Sequence, residues 1–398
     1  MKRVLFVCYG SGHVRMIVPV AKALQESGLA DVQVLGLTTA APVVKSSGLH
    51  LLQVKDFARR DDAAAIARGH VLAQALPQMT DPVETATYLG ICYAELAADV
   101  GEEEARRRYE RDGRQAFLPQ HLLSRILSAV QPALLVVTNS PRGERAAVLA
   151  ARAQGIPAVC MVDLFAVDEV RWIGEPGYAD CICVLNDHVK EFLVEAGRRP
   201  DEIRVTGNPA FDSLDRPGLR EQALALRVAQ GWSDRHVLLW PSQVEPKRHP
   251  FDGRAGNSLL PSLLLQALVD WTLKQTDIVL CVRPRAGERA PELPVDARIR
   301  VTGQDWPLPE LLAAVDTVVT LGSTVGLEGA LAGARLIQVL GSVFDDAMPL
   351  GRFGIADAVV PLADLETALA QWARAPRRAG THMAAATPRV LAVLREFL

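Results

Sequence analysis

The sequence predicts an α/β protein built from two domains, each with a parallel β-sheet wound by helices. Short runs rich in Val, Ile and Leu alternate with helical patterns along the chain, which is typical of parallel strands joined by crossover helices. The length of 398 residues is enough for two domains of ordinary size. A hydrophobic content of 49% with 22% charged residues excludes a mainly disordered chain.

The apolar runs predict five strands in each half of the chain. Those of the first sheet are Val4–Cys8, Val32–Gly36, Leu134–Thr138, Ala158–Val162 and Cys181–Leu185. Those of the second sheet are His236–Trp240, Asp277–Arg283, Arg298–Thr302, Thr317–Leu321 and Arg335–Leu340. The interval between Asp56 and Gln131 is polar and predicted to be helical, because its mixed charges suit a solvated helix face.

A stretch rich in Pro and Gly separates the two sets of strands and is typical of an interdomain connection: RVTGNPAFDSLDRPGLRE. We therefore predict an N-terminal domain over 1–212, a hinge over 213–218 and a C-terminal domain over 219–382. The tail, 383–398, has helical spacing of its apolar residues, so we expect a helix that packs back on the body of the protein.

Composition excludes several classes of partner. A formal net charge of −3 and a pI near 6.3 provide no field that would gather nucleic acid. The cysteines lie mostly in apolar runs without the paired spacing of a zinc site, so we expect buried thiols and no bound metal.

The N-terminal apolar run is too short for a signal peptide. We expect a cytoplasmic protein, with peripheral membrane contact and oligomeric state left open.

The first candidate site is a glycine-rich turn between the first strand and a helix, within YGSGHVRMIVPVAKAL. A turn with Gly10 and Gly12 lets a ligand approach the backbone, and we expect Gly12 to be one of the donor-binding residues. His13 falls at the carboxyl end of the strand, where ligands of parallel sheets bind. Arg15 at the third glycine position of the dinucleotide fingerprint argues against a dinucleotide site. From spacing alone, His13 either caps the turn or acts in catalysis.

The second candidate site follows a strand of the C-terminal half, in TLGSTVGLEGALAGARLIQV. The turn Gly322, Ser323 and Thr324 offers amides and hydroxyls that suit a diphosphate, and Glu328, about one turn into the helix, suits the hydroxyls of a ribose. The alternative is an ordinary capped helix in which Glu328 complements the helix dipole. The combination of strand end, cap, small residues and acid favours the binding site.

Cations follow two other strands of the same half, in WPSQVEPKRHP and CVRPRAGE. We expect Lys247 and Arg283, with Ser242 beside them, to bind the donor and to neutralise a leaving nucleoside diphosphate without a metal ion. Arg248 and Arg285 are weaker candidates. The alternative is a set of surface cations on polar loops.

These motifs resemble those of the GT-B glycosyltransferases. The segment Tyr9–Leu24 is similar to the glycine loop and first helix of lipid II-forming N-acetylglucosaminyltransferases, and Val205–Leu214 resembles the end of the N-terminal domain in Kdo transferases and UDP-GlcNAc 2-epimerases. Leu308–Gln338 resembles the donor site of the superfamily, where the acid matching Glu328 binds the ribose. The resemblance implies two Rossmann-like domains facing across a cleft, a nucleotide-sugar donor such as a UDP-sugar, and no cofactor.

Differences between this sequence and the superfamily motifs set the order of the candidate functions. Arg285 stands where polymerases of the superfamily often carry a histidine, which argues against polymerase activity. Asp163 matches a glutamate of the 2-epimerases, but their preceding acid is replaced by Thr138, Asn139 and Ser140. A glycosyltransferase of bacterial envelope or capsule synthesis is therefore expected first. An epimerase or hydrolase acting on the nucleotide sugar comes second, and a non-catalytic binding protein third.

The resemblance also implies where a catalytic base would lie. An inverting transfer needs a base for the acceptor hydroxyl, and GT-B enzymes supply it from the N-terminal domain. His13 and Asp163 are the leading candidates and Glu144 is a further one; a retaining transfer would need none. The acceptor, whether a glycan, a lipid-linked sugar or a protein, is not identified by the sequence.

Overall fold

The computed structural model describes residues 1–10, 12–76, 81–249, 252–285, 288–303, 306–378 and 385–398. These residues divide into two units. The N-terminal unit comprises Met1–Ala210 together with Ala385–Leu398, and the C-terminal unit comprises Phe211–Ala384.

The N-terminal unit contains a 7-stranded sheet in the order β3-β2-β1-β4-β5-β6-β7, and all its neighbouring strands are parallel. Its strands are β1 Lys2–Cys8, β2 Ala30–Gly36, β3 His50–Leu52, β4 Leu134–Thr138, β5 Ala158–Met161, β6 Cys181–Val184 and β7 Ile203–Val205.

Helices connect these strands. They are α1 Gly12–Glu26, α2 Ala40–Ser46, α3 Ala63–Ala73, α4 Pro82–Val100, α5 Glu102–Asp112, α6 Gln120–Val130, α7 Gly143–Ala153, α8 Val170–Ile173 and α9 Asp187–Glu195. Short 3-10 helices lie at Val54–Phe57, Arg60–Asp62, Gly113–Ala116, Pro200–Glu202 and Pro209–Asp215.

The C-terminal unit contains a 6-stranded parallel sheet in the order β10-β9-β8-β11-β12-β13. Its strands are β8 His236–Pro241, β9 Ile278–Arg283, β10 Ile299–Val301, β11 Thr317–Thr320, β12 Arg335–Leu340 and β13 Ala358–Pro361. Its helices are α10 Leu219–Ala229, α11 Leu260–Leu273, α12 Leu308–Ala314, α13 Thr324–Leu331 and α14 Leu365–Trp372, with a 3-10 helix at Leu362–Asp364.

Each unit has its own hydrophobic core. The central strands β1 and β4 are buried from Val4 to Cys8 and from Leu134 to Thr138, because helices cover both faces of a parallel sheet. The last helix of the chain, α15 Ala386–Arg395, belongs to the N-terminal unit and packs against α1. Its Val390, Val393 and Leu394 are buried in the core of that unit.

The predicted fold class is confirmed: both sheets are parallel and flanked by helices. All the predicted strands are present, with ends shifted by at most two residues. The strands β3, β7 and β13 were not predicted. All three lie at sheet edges and have only three or four residues, too few for an apolar period to stand out.

The connection between the two sets of strands is ordered. The predicted hinge, 213–218, falls on the end of the 3-10 helix Pro209–Asp215 and on the turn before α10, where Gly218 has a φ of +81°. A bending motion there stays a prediction. The predicted boundary between 382 and 383 lies outside the described residues.

The cysteines, all within the described ranges, are free and buried: Cys8, Cys92, Cys160, Cys181, Cys183 and Cys281. Within those same ranges, no group of three or more His, Cys, Asp or Glu side chains is placed to hold a metal ion. Nor does any helix of the described chain combine the length and apolar character needed to cross a membrane.

Candidate functional site

The carboxyl ends of β1, β4 and β5 carry the candidate catalytic residues of the N-terminal unit. These three strands are neighbours in the sheet. His13 lies in the first turn of α1, Thr138 ends β4, and Asp163 follows β5. Because the strands are parallel, their carboxyl ends lie at one edge of the sheet, where ligands of such folds bind.

Two glycines near the start of α1 have different roles: the backbone requires glycine at Gly10, whereas Gly12 leaves open space. A Cβ atom on Gly10 would lie 1.9 Å from Thr39 Oγ1, so only glycine allows the loop after β2 to approach this closely. A Cβ atom on Gly12 would have no neighbour within 4 Å. The surface above Gly12 is therefore open, as a ligand-binding loop requires.

The ring of His13 is held by a hydrogen-bond chain that ends on a buried carboxylate. Thr138 Oγ1 lies 2.9 Å from His13 Nδ1 and 2.8 Å from Glu144 Oε1. The same Glu144 oxygen accepts the backbone N–H of Tyr9 at 2.9 Å, so Thr138 donates its single hydroxyl proton to Glu144. Thr138 Oγ1 can then only accept from His13. The proton of a neutral His13 ring therefore sits on Nδ1, and Nε2 carries the lone pair.

Glu144 is fully buried at the start of α7. Its Oε1 accepts both hydrogen bonds of the chain, while no donor among the described residues reaches its Oε2. A buried carboxyl group with one unsatisfied oxygen is costly, and such a cost is typical of functional sites. The sequence placed Glu144 among the base candidates, but its side chain is fully buried and its Oε1 is engaged by Thr138 and Tyr9.

Asp163 is fixed by two asparagines. Its Oδ1 accepts from Asn139 Nδ2 at 2.9 Å and from the N–H of Leu164 at 2.8 Å, while its own N–H donates to Asn139 Oδ1 at 3.0 Å. Asn208, in the Gly-Asn-Pro turn, donates to the carbonyl of Asp163. This network explains why polar residues follow β4 and β7, and it holds a half-buried carboxylate at the same sheet edge as His13.

Glu169 is a candidate that sequence reasoning missed. Burial raises its pKa from 4.5 to about 7, and the negative charge of Asp163 adds to the shift, while His13 acts in the opposite direction. Glu169 therefore lies within electrostatic range of both candidate bases. A carboxyl group that titrates near neutral pH in a candidate site is suited to general acid or base chemistry. The sequence shows only an acid just before the short helix α8, and it contains no sign of the burial that raises the pKa.

In the C-terminal unit, β9, β8 and β11 are also neighbours, and their carboxyl ends carry the predicted donor residues. Arg283 ends β9, Ser242 follows β8, and Gly322 follows β11. Ser242 N–H donates to the Arg283 carbonyl at 2.8 Å, and Ser242 Oγ donates to Glu288 Oε1 at 2.7 Å. Arg283 Nη1 donates to the Trp306 carbonyl at 3.1 Å. The structure thus brings these residues to one sheet edge.

The turn from Gly322 to Thr324 is held by a glutamine that the sequence did not single out. Gln243 Oε1 accepts from Thr320 Oγ1 at 2.9 Å and from Leu321 N–H at 2.7 Å. Ser323 caps α13, with its hydroxyl accepting the Val325 N–H at 3.2 Å. The conformation of the turn is therefore set before any ligand binds.

The two remaining predicted donor residues differ in environment. Glu328 lies in α13, one turn after Thr324, and only 8% of its surface is exposed. Lys247 is exposed on the loop after β8, where its carbonyl accepts the Gly256 N–H at 2.9 Å. Within the described part of the chain, no hydrogen bond or ion pair joins the Lys247 side chain to the turn.

Comparison with known proteins identifies the fold. No protein-family model matches the chain, and no curated protein sequence is significantly similar to it. The UDP-GlcNAc 2-epimerase from Neisseria meningitidis bound to UDP-GlcNAc has a TM-score of 0.57 at 12% identity, over 99% of this chain and 100% of that chain. The UDP-GlcNAc 2-epimerase from Methanocaldococcus jannaschii has a TM-score of 0.56 at 11% identity, over 99% of each chain.

A glycosyl-transferring protein is similar to the same degree. The glycotransferase of kitacinnamycin has a TM-score of 0.55 at 14% identity and covers 100% of this chain and 99% of that one. At such low identities the similarity shows the fold and not the activity. The chain has the two-domain, Rossmann-like GT-B fold.

Proposed function

We propose that the protein is a glycosyltransferase that moves a sugar from a nucleotide-sugar donor to an acceptor hydroxyl. The observation that carries the proposal is the hydrogen-bond chain from Glu144 through Thr138 to His13, which leaves Nε2 of His13 as a proton acceptor. This is the arrangement that a transferase needs to activate an acceptor hydroxyl.

Donor recognition is assigned to the C-terminal unit. The turn Gly322–Thr324 lies at the start of α13, where the helix dipole and the Thr324 hydroxyl suit a diphosphate, while Gly322 N–H and Ser323 N–H donate within the protein. Arg283 at the same sheet edge supplies positive charge. Glu328 is proposed to accept the ribose hydroxyls. Structures of fold relatives from Staphylococcus aureus and Neisseria meningitidis contain UDP and UDP-GlcNAc respectively, and these ligands are the first donors to test.

The proposed reaction is an inverting displacement. His13 Nε2 takes the acceptor hydroxyl proton as the acceptor oxygen bonds to the anomeric carbon of the donor sugar. The bond from that carbon to the diphosphate oxygen breaks, and the nucleoside diphosphate leaves with the electron pair. The positive charge that forms on the imidazole is stabilised through Thr138 by Glu144. The resemblance of the sequence motifs favours an acceptor from bacterial envelope or capsule glycan synthesis.

One observation favours a second candidate function, epimerisation or hydrolysis of the nucleotide sugar itself. Asp163 and Glu169 are two acids near one another, and the pKa of Glu169 is raised to about 7. A carboxyl group with a raised pKa beside a second acid suits general acid and base chemistry, as an epimerase requires. Against this candidate stands the neutral side chain of Thr138 at the end of β4, where the epimerase motif carries an acid.

Incubation of the purified protein with UDP-sugars in the absence of an acceptor tests the two candidates. A transferase leaves the donor almost unchanged, whereas an epimerase or hydrolase converts it to an epimer or to free sugar and UDP. Conversion at rates of an ordinary enzyme, about 1 to 10³ per second, would overturn the proposal. A thermal-shift screen of nucleotides, run in parallel, reports donor binding independently of turnover.

A further inference from the structure

The N-terminal unit contains a cavity of about 470 Å³ that is separate from the hydrogen-bond chain of His13. Its walls come from the loop after β2, from α2 and β3, from the first half of α4, and from the 3-10 helix Gly113–Ala116. The volume is in the range of small-molecule sites.

Part of the lining of this cavity is apolar. Ala41, Leu51 and Leu89 form part of the lining, and the ring of Tyr88 lies beside them. Leu89 is fully buried and Tyr88 is only 4% exposed. Burial of a hydrocarbon or aromatic body against these side chains would be favourable.

Both acidic residues of the lining are already engaged. Glu84 accepts the N–H groups of Val54 and Lys55, at 3.0 and 2.9 Å, with its two carboxylate oxygens. Asp81 pairs with the Lys55 ammonium group and accepts the N–H of Glu84 at 3.0 Å. The hydrogen bond from Lys55 lowers the pKa of Asp81. Both carboxylates therefore already have hydrogen-bond donors within the protein.

The two cations of the lining differ from the two acids in their contacts. Lys45 on α2 and Arg114 on the 3-10 helix are exposed. In the part of the chain that the structure describes, neither cation forms an ion pair with a carboxylate. The lining of the cavity therefore combines an apolar part with two exposed cations. Such a site matches a ligand with an apolar body and one anionic group.

Residues that line the cavity contact the segment just before α1, the helix that carries His13. Tyr88 OH lies 2.7 Å from Tyr9 OH, directly before the glycine loop. Thr38 and Thr39 line the cavity, and Thr39 contacts Gly10. Thr38 has a φ of +51°, an unfavourable conformation for a β-branched residue, and such strain concentrates at ligand sites.

We infer that this cavity binds an amphipathic anion, an apolar molecule bearing one carboxylate, sulfonate or phosphate, and that this is the acceptor class of the enzyme. The second half of the inference rests on the proposed transferase function. The binding site itself does not, because it follows from the lining and charges of the cavity.

Two fluorescent probes with nearly the same apolar body separate charge recognition from apolar burial. Anilinonaphthalene sulfonate carries an anionic group, and phenylnaphthylamine is its neutral counterpart. We expect the parent protein to bind both. The double variant Lys45→Gln/Arg114→Gln is expected to bind the sulfonate about three- to tenfold more weakly, as for two exposed charge contacts, and the neutral probe within twofold of the parent.

Matched variants control for net charge and for the location of the probe. Lys190→Gln/Arg152→Gln removes the same charge from α9 and α7 of the same unit and should leave both affinities unchanged. Thr85→Trp, which fills the cavity from α4, should abolish the binding of both probes. Ala41→Phe fills it from α2 and replaces Thr85→Trp if that variant is shown to unfold by its melting temperature.

Three outcomes would overturn the inference. Unchanged sulfonate binding in Lys45→Gln/Arg114→Gln would show that the cations do not select an anion. Probe binding that survives a folded cavity-filling variant would place the probe elsewhere. Competitive displacement of the sulfonate by UDP would make the cavity a nucleotide site.

A separate experiment tests whether the bound anion is the acceptor. Anionic amphiphiles that displace the probe are incubated with a UDP-sugar that stabilises the protein, and UDP release is measured. We expect release with the anion and at least tenfold less with its neutral analogue. If the probes bind as expected but no displacing anion causes UDP release, the results would support the binding site and overturn the acceptor assignment. Absence of any UDP-sugar binding would instead count against the proposed function.

Discussion

At the level of single residues, the orientation of His13 depends on two fully buried groups. Thr138 has one hydroxyl proton and donates it to Glu144, which leaves its oxygen as the acceptor for His13 Nδ1. If the ring changed tautomer, the proton would move to Nε2, which could then no longer act as the proposed base. Thr138 and Glu144 are therefore positioning residues in the proposed mechanism.

This role predicts different effects for two changes at one position. Thr138→Val removes the hydroxyl with little change in volume and should lower kcat about 10- to 100-fold with KM nearly unchanged. Thr138→Ser keeps the hydroxyl and should stay within about threefold of the parent. Nitrogen NMR of His13 should show Nδ1–H in the parent and loss of that preference in Thr138→Val. Equal tautomer spectra for both variants would contradict the hydrogen-bond assignment.

The two candidate bases make opposite predictions. If His13 is the base, His13→Ala should lower kcat by about 10²- to 10⁴-fold with donor affinity nearly unchanged, because donor contacts are assigned to the other unit. Asp163→Ala is the comparison. Loss of transfer in Asp163→Ala with little effect of His13→Ala would move the base to Asp163. If neither change lowers kcat, the transfer uses no base from this unit, as a retaining mechanism would allow.

Glu169 predicts a pH dependence of stability. Its pKa is about 7 in the folded protein and 4.5 in the reference state, so the folded protein binds this proton more tightly between those values. The contribution of Glu169 to the free energy of unfolding therefore falls as pH rises from 4.5 to 7 and is constant above.

Glu169→Gln removes this titration. The variant should be more stable than the parent by about 1–3 kcal/mol at pH 8, a value reduced for the partial exposure of the side chain, and close to the parent at pH 4. Urea unfolding at both pH values measures the difference. Glu191→Gln, at an exposed position on α9, should show no such difference. A Glu169→Gln variant that gains nothing at pH 8 would contradict the raised pKa.

At the level of elements, the turn between β11 and α13 joins the proposed diphosphate site to the proposed ribose site. Gln243 fixes the start of the turn through Leu321, and Ser323 caps the helix that carries Glu328. Because both contacts form within the protein, the turn needs no ligand to order it. Preorganisation of this kind lowers the entropy cost of binding.

Glu328→Ala tests the turn and helix as a nucleotide site. We expect UDP binding to weaken by about 1.5–3 kcal/mol, the usual value for hydrogen bonds to a charged group, without unfolding. Isothermal calorimetry measures the affinity, and circular dichroism checks the fold. Glu310→Ala, a change of the same type on α12, is the matched control. UDP affinity equal to that of the parent would remove Glu328 from the donor site.

At the level of the whole molecule, the chain returns to its starting unit. Helix α15 follows the C-terminal unit in sequence but is part of the core of the N-terminal unit, where Leu394 is fully buried. The stability of the N-terminal unit therefore depends on residues at both ends of the chain.

Leu394→Ala should lower the stability of the N-terminal unit by about 2–4 kcal/mol through the cavity it leaves. Native-state hydrogen exchange should show faster exchange in β1 and β4 than in the parent, with little change in β8 and β11. Arg395→Ala, on the exposed side of the same helix, is expected to change neither. Equal acceleration in both sheets would mean that the two units unfold together.

Sequence patterns were sufficient to predict the two parallel sheets. Buried strands produce apolar runs, and the alternation of such runs with helical patterns is typical of parallel sheets. They also identified the two turns after β1 and β11, where Gly10 allows the close approach of Thr39 and Ser323 caps α13. They did not reveal β3, β7 and β13, because pairing at a sheet edge and not local composition makes those short segments strands.

Only the tertiary structure decided how the candidate residues act. His13 and Thr138 are 125 residues apart, and Tyr9 and Glu144 are 135 apart, so no local pattern records their hydrogen bonds. The raised pKa of Glu169 and the cavity beside Tyr88 depend on burial by segments distant in sequence. The sequence by itself determined which chemical groups stand at the strand ends, since each strand and turn is a local feature. Their pairing, protonation and access to ligands follow from packing between distant segments, which the fold alone specifies.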